Sequence, residues 1–236
     1  MSDAGRVIAG SARGTRLTAP GEGTRPLGDR VKQTLFAILE PDLVGAAVLD
    51  LFAGSGAGGI EALSRGAARA VFVERDGAAA RVIAENLVRA RLAGRGTVAR
   101  ADVLAYLADR AAADGPFDVV LIDPPYAEPH LLEAALIRLG AGATAAPGAS
   151  VAGTPCASAA GPSALLLRPE AWVVAKHFWR TPPPPAAGLL ASVRTRRFGE
   201  TALTFFRQAG SAARGAEESA VVTPAQPTAE SEEAAR

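Results

Sequence analysis

Two short runs and three isolated acids carry the chemistry legible in this sequence. Gly54-Ser55-Gly56-Ala57-Gly58-Gly59 satisfies G-x-G-x-x-G, and Glu74 lies 20 residues beyond Gly54. Glycines let a backbone approach a ligand closely, and an acid at that spacing can accept hydrogen bonds from two ribose hydroxyls. Taken alone, this pattern fits NAD almost as well as S-adenosylmethionine. Asp50 stands in the apolar run just before the loop, where a carboxylate would crowd a pyrophosphate but could meet the amino group of a methionine moiety. Asp102 follows Ala101 and could take the exocyclic amine of an adenine, although it is equally a natural helix N-cap. Three acids at three consecutive strand ends tilt the choice towards S-adenosylmethionine.

Asp123-Pro124-Pro125-Tyr126 answers a different chemical problem. An exocyclic amine on a nucleobase is a poor nucleophile because its lone pair is delocalised into the ring. Asp123 could accept one N–H and the Pro124 carbonyl the other, which would pyramidalise the nitrogen and aim its lone pair at an electrophilic methyl. Two prolines hold the backbone without competing N–H donors. Tyr126 offers a face for an extruded base, a stacking contact worth roughly 1–3 kcal/mol.

These residues need strand ends to position them, and the chain supplies strands in alternation with helices. Apolar runs at Ala47–Phe52, Ala70–Val73, Thr97–Arg100, Phe117–Ile122 and Trp172–Lys176 predict five strands. Helical periodicity predicts helices over Gly56–Arg65, Gly77–Leu92, Val103–Ala112 and around Leu132–Leu139. Val193–Phe198 and Thr201–Arg207 flank Gly199-Glu200 as an antiparallel hairpin. The expectation is an α/β fold with a mostly parallel, doubly wound sheet, whose ligands sit at the carboxyl ends of the strands. Ahead of it, Arg6–Ala9 is expected as a strand, with Asp29 capping a helix over Arg30–Glu40. Residues 1–210 are expected to form one domain, with 1–40 as a docking or lid segment. The Ala/Gly/Pro-rich stretch 140–163 is expected as a flexible insertion, 211–236 as a disordered acidic tail, and Pro182–Pro185 as a stiff connector.

Several of these segments resemble one family. R-V-I-A-G-S-A-R-G (Arg6–Gly14), R-P-L-G-D-R-V-K-Q-T-L-F (Arg25–Phe36), E-A-L-S-R-G-A (Glu61–Ala67), F-V-E-R-D (Phe72–Asp76) and F-G-E-T (Phe198–Thr201), with the glycine loop and Asp-Pro-Pro-Tyr, are similar to the bacterial small-subunit rRNA guanine-N2 methyltransferases of the guanine-966 type. The resemblance implies a Rossmann-like class I methyltransferase fold and S-adenosylmethionine as cofactor. It implies methyl transfer to a guanine N2 of 16S rRNA, in an assembled small-subunit particle. It places the cofactor site on Asp50, Phe52, Gly54, Ser55, Gly56, Glu74 and Asp102, and catalysis on Asp123, Pro124, Pro125 and Tyr126. Two departures stand out: Leu27-Gly28 replaces a usual threonine pair, and Lys176 stands where an acidic residue is common.

Composition sets outer limits. Hydrophobic residues make up 49% and charged residues 21%, unlike a disordered chain. One cysteine, Cys156, excludes an internal disulfide framework, and with two histidines it is too few for a Cys/His zinc site. The longest uncharged stretch, 139–167, is broken by Pro147, Pro155 and Pro162, so no membrane span is expected. Met1-Ser2-Asp3 opens without a basic-then-apolar signal, so a cytoplasmic protein is expected; a monomer is expected separately. The net charge is +1, but the last 26 residues hold five glutamates against two arginines. Arg6, Arg13, Arg16, Arg25 and Arg30 therefore make the N-terminal segment the candidate RNA-binding region. Arg194, Arg196 and Arg197 could equally meet phosphates or form a solvated face. His130, His177, Trp172 and Trp179 are assigned to packing or surface. Three other functions stay open: an adenine-N6 methyltransferase, an NAD-dependent oxidoreductase that leaves Asp-Pro-Pro-Tyr idle, and a non-catalytic RNA-binding factor.

Overall fold

The computed structural model describes residues 2–21, 28–141 and 166–209. Strands β1 (Ser2–Arg6) and β2 (Arg16–Ala19) pair as an antiparallel hairpin, followed by helix α1 (Asp29–Leu39). Strand and helix then alternate through β3 (Ala47–Leu51), α2 (Ala57–Ser64), β4 (Arg69–Glu74), α3 (Gly77–Arg89), β5 (Gly96–Arg100) and α4 (Val103–Asp109). A single turn, α5 (Ala111–Asp114), leads to β6 (Phe117–Ile122) and α6 (Pro129–Gly140). The chain closes with β7 (Leu167–Phe178), the two-residue β8 (Ala186–Ala187), β9 (Leu190–Phe198) and β10 (Thr201–Gln208).

The central sheet has the order β5-β4-β3-β6-β7-β10-β9-β8. Its first five strands are parallel, and β10 and β9 add antiparallel to β7. The winding reverses between β3 and β6, which leaves a crevice at their carboxyl ends. Period-two alternation divides the core between two faces. Val48, Phe72, Val119, Val174 and Phe205 pack under α1, α2 and α3. Leu49, Val71, Val120, Val173 and Phe206 pack under α4 and α6. Strands buried on both faces read as unbroken apolar runs, which is why β3 and β6 are visible in the sequence.

Several expectations need correction. The first strand is Ser2–Arg6 rather than Arg6–Ala9, and β2 has no counterpart in the sequence reading. Asp29 does not cap α1: it is the first helical residue, Gly28 holds the cap position, and its carboxylate faces Arg6 at 3.3 Å and Lys32 at 3.8 Å. The third helix breaks at Arg110, and the fifth parallel strand is 12 residues long. Gly140 belongs to α6, where its carbonyl accepts from Leu189 N–H, and a Cβ there would lie 1.9 Å from the Ala187 carbonyl oxygen. The rest of the expected insertion, residues 142–163, and the tail 211–236 lie outside the described residues.

Candidate active site

A cavity of about 710 Å³ opens where β3, β4 and β6 end. Phe52, Gly54 and Gly56 all have positive φ (59°, 56° and 77°), a turn that brings the chain sharply from β3 into α2. Glu74, the last residue of β4, braces it: one carboxylate oxygen accepts from Gly54 N–H and the other from Asp76 N–H, each at 2.9 Å. Asp50 is buried beneath the loop and accepts the otherwise orphaned Gly59 N–H at 2.8 Å. Burial pushes its carboxyl up to about 7; the Gly59 N–H opposes the rise, while the charges of Asp123 and Glu74 add to it. Asp102 does cap α4, with Oδ1 accepting from Leu104 and Ala105 N–H, yet it also lines the cavity.

The cavity gathers Asp50, Phe52, Gly54, Ser55, Glu74, Asp102 and the whole of Asp123–Tyr126. Gly56 is not part of its lining: it is the left-handed N-cap residue of α2, pressed against Ile83, Ile60 and Phe72. At the far wall, both carboxylate oxygens of Asp123 accept from Lys176 Nζ, at 2.7 and 2.8 Å. Desolvation pushes the Asp123 carboxyl up and the Lys176 ammonium pulls it back down. That ammonium also lies 5.3 Å from the Tyr126 ring centroid, within cation–π range. Tyr126 is 41% exposed, and its hydroxyl meets Thr201 Oγ1 at 2.9 Å. A smaller cavity, about 490 Å³, lies beyond the tetrapeptide between Pro129, His130, Phe178 and Pro182–Pro184.

Lys176 is the main residue whose place the sequence does not disclose, because only the β6–β7 register, Ile122 beside Ala175, carries it to Asp123. Asn86 is a second. From α3 its Nδ2 donates to the carbonyls of Ser55 and Thr18, and its Oδ1 accepts from Thr18 N–H, each at 2.9 Å. It therefore ties the glycine loop to the N-terminal hairpin. Among the candidate RNA-binding residues, Arg6 pairs with Asp29 and Arg16 with Asp3. Arg13 lies in the turn that docks on Ser64, at the end of α2 remote from the glycine loop; Arg30 is exposed on α1, and Arg25 lies outside the described residues. His177 packs as expected, between Thr204 Oγ1 and the Phe178 carbonyl. Trp179 is not in the core: Arg197 stacks on its ring at 3.6 Å and Arg180 lies 4.9 Å away. Among the described residues, no group of three or more His, Cys, Asp or Glu could hold a metal, and no helix is long and apolar enough to cross a membrane.

Residues 5–152 match the family described as "Conserved hypothetical protein 95", well over half of the chain. The chain belongs to that family. Beside this Conserved hypothetical protein 95 match, it is 33% identical over 206 residues to "Putative rRNA methyltransferase YlbH" of Bacillus subtilis, covering 87% of this chain and 100% of that protein. It is 43% identical over 122 residues to "Ribosomal RNA small subunit methyltransferase D" of Escherichia coli, covering 51% of this chain and 60% of that enzyme. The solved structure of "Putative methyltransferase yhhF" from Escherichia coli superposes with a TM-score of 0.68 at 30% identity, over 86% of this chain and 97% of that one. "Putative methylase HI0767" from Haemophilus influenzae does so with a TM-score of 0.64 at 26% identity, over 88% and 99%. The fold is thus the Rossmann-like fold of these methyltransferases.

Proposed function

We propose that this chain is an S-adenosylmethionine-dependent methyltransferase of 16S rRNA, and that it methylates the exocyclic N2 amine of a guanine, guanine 966, in the assembled small-subunit particle. The observation that carries the proposal is one cavity in which a glycine loop with three strand-end carboxylates faces Asp-Pro-Pro-Tyr. The rRNA substrate is taken from the names of the two relatives, and the guanine N2 from the motif resemblance.

The residues present fit the cofactor. A Cβ on Gly58 would stand 2.9 Å from Leu121 Cδ1 and 3.2 Å from Asp50 Oδ2, so bare backbone keeps the space above Asp50 open. Asp50 would take the methionine ammonium, the Phe52–Ser55 turn would pass along the ligand, and Glu74 would accept the ribose hydroxyls. Asp102 Oδ2, which accepts nothing among the described residues, would take the adenine amine. When bound, S-adenosylmethionine supplies a methyl group made electrophilic by its sulfonium.

The chain's own residues then act on the acceptor. Asp123 and the Pro124 carbonyl accept the two N–H bonds of the target amine and fix its orientation. Tyr126 presents an exposed ring for the extruded base. Its hydroxyl bond to Thr201 holds that ring against the C-terminal hairpin.

The test is methyl transfer from labelled S-adenosylmethionine to small-subunit particles lacking the modification, with naked rRNA and DNA alongside. N2-methylguanosine formed on particles is expected, as is its loss in Asp123→Ala with cofactor binding retained. N6-methyladenosine as product would replace the guanine reading, and transfer to nothing would overturn the enzyme reading.

A further inference from the structure

Of the candidate RNA contacts in the N-terminal segment only Arg30 bears on the cationic surface beside the cavity, whose other guanidinium groups come from β9. Resting on the function proposed above, we propose that the RNA strand carrying the target base docks on the edge of the sheet, gripped by Arg194 and Arg196 of β9 with Arg30 of α1.

Register puts these groups on one face. Arg196 stands opposite Leu203, which stands opposite Lys176; Arg194 stands opposite Phe205, which stands opposite Val174. Directly opposed residues on adjacent strands point to the same side of a sheet. Val174, Lys176 and Leu203 line the main cavity, so Arg194 and Arg196 extend its wall outward to the edge. The turn at Gly199-Glu200 lies at the cavity end of the sheet, because Thr201 pairs with Phe178 at the end of β7. With strands about 4.8 Å apart, Arg196 lies two strands, roughly 10 Å, from Lys176 and its Asp123 partner.

Helix α1 covers the same face. Leu35 lines the cavity, while Asp42, just past the helix, accepts from Trp172, midway along β7 and six residues short of its cavity end, at 2.7 Å. The helix therefore runs away from the cavity end, and its first turn, with exposed Arg30, sits at the rim.

Charge separates this face from most of the other candidates; Arg13 is also exposed without a carboxylate partner among the described residues, but it lies at the remote end of α2. Arg6 and Arg16 each pair with a carboxylate, and so do Arg75, Arg168 and Arg207. Arg194, Arg196 and Arg30 are exposed and have no carboxylate partner among the described residues. Beyond the two residues paired with β8, the outer side of β9 forms no strand pairing among the described residues. On the opposite face, Trp179 holds Arg197 against its ring, so cations flank the edge on both sides. Phosphates of a single strand are the partner that such spaced, unpaired guanidinium groups fit. Charge on an edge strand also blocks sheet-to-sheet aggregation, and that role makes a different prediction.

The experiment compares the parent with Arg194→Ala/Arg196→Ala and with Arg30→Ala. Binding to a 16S rRNA fragment and to small-subunit particles is measured by anisotropy across a salt series, together with kcat and KM for methyl transfer. The double variant is expected to flatten the slope of log K against log salt by about 1.4–1.8, since each lost phosphate contact removes about 0.7–0.9. Its KM for RNA should rise about tenfold or more, while kcat at saturating RNA and affinity for S-adenosylhomocysteine hold. Arg13→Ala, at the remote end, should match the parent. A double variant with parental KM and slope overturns the proposal, including one that merely aggregates faster. Parental RNA binding without methyl transfer would instead defeat the enzymatic reading and leave the docking surface to be judged by the salt series alone.

Discussion

At the scale of single residues, the site is governed by two carboxyls, buried Asp50 and half-buried Asp123, whose pKa values desolvation raises. Asp123 can serve as an acceptor for two-directional hydrogen bonding only when ionised, and burial works against that. Lys176, bonded to both of its oxygens, is what opposes the rise. Lys176→Met should therefore let Asp123 hold its proton to higher pH. The acid limb of kcat/KM is expected to move to higher pH, so that activity on that limb falls by up to about tenfold for each pH unit the limb moves and recovers at higher pH. A pH–rate profile superimposable on the parent's would rule that role out, and Lys176→Arg should restore it. Asp50 makes a second prediction. With its carboxyl pushed up to about 7, the ligand-free protein binds a proton there that a methionine ammonium must displace. Affinity for S-adenosylmethionine should fall by up to about tenfold per pH unit below 7 and level off above it, whereas Asp50→Asn should bind weakly at all pH values. For the empty protein the sign is opposite. A raised carboxyl pKa contributes stability that is complete below the unfolded value and lost as pH rises through about 7, so thermal melts should show the parent losing more than Asp50→Asn between pH 5 and 8.

At the scale of elements, the family-like segments Arg6–Gly14 and Glu61–Ala67 turn out to touch each other. Glu61, buried on α2, accepts from Ile8 N–H at 2.7 Å and Ala9 N–H at 3.1 Å. Ser64 accepts from Ser11 N–H through its carbonyl and from Ala12 N–H through its hydroxyl. The hairpin is thereby clasped to α2 by side chains satisfying backbone donors that have no ladder of their own. Gly10 makes the fit possible: its φ is +83°, and a Cβ would lie 1.9 Å from the Ser64 carbonyl oxygen. Gly10→Ala should cost about 2–4 kcal/mol through the left-handed backbone and the clash. Hydrogen exchange should accelerate across residues 2–21 while β3 and β6 stay protected; unchanged protection of the hairpin would refute the clasp. Here also lies the limit of what the sequence could disclose. The interior strands announce themselves as apolar runs. SDAGR and RLTA show no such run, because the hairpin alternates over only a few residues, burying Ala4, Leu17 and Ala19, and is otherwise held by Glu61 and Asn86 from distant helices. The absent side-chain cap on α1 has the same origin, since Asp29 is recruited by Arg6 across the hairpin.

At the scale of the whole molecule, one topological reversal accounts for the placement of the site. Parallel strands β3, β4, β5 and β6 end at one edge, so Asp50, Glu74, Asp102 and Asp123 converge although they span 74 positions of sequence. That convergence was legible because each acid closes, or sits within, an apolar run. The contribution of β7 was not, since a register is a property of pairing and not of composition. Convergence also bears on the two cofactors that a glycine loop alone leaves open, and it favours the proposed S-adenosylmethionine. A dinucleotide needs room for its pyrophosphate against the loop, and here a buried carboxylate lies directly beneath, 2.8 Å from the first-turn Gly59 N–H. That amide would otherwise be available to a phosphate. S-adenosylhomocysteine at about 100 times its Kd should stabilise the protein by roughly 2.7 kcal/mol, a rise in Tm of roughly 5–10 °C for a chain of this size. NADH at the same concentration should leave Tm unchanged. The reverse pattern would mean that Asp50 yields its place to a phosphate, and the glycine loop would then belong to an oxidoreductase with its Asp-Pro-Pro-Tyr tetrapeptide serving only as a turn.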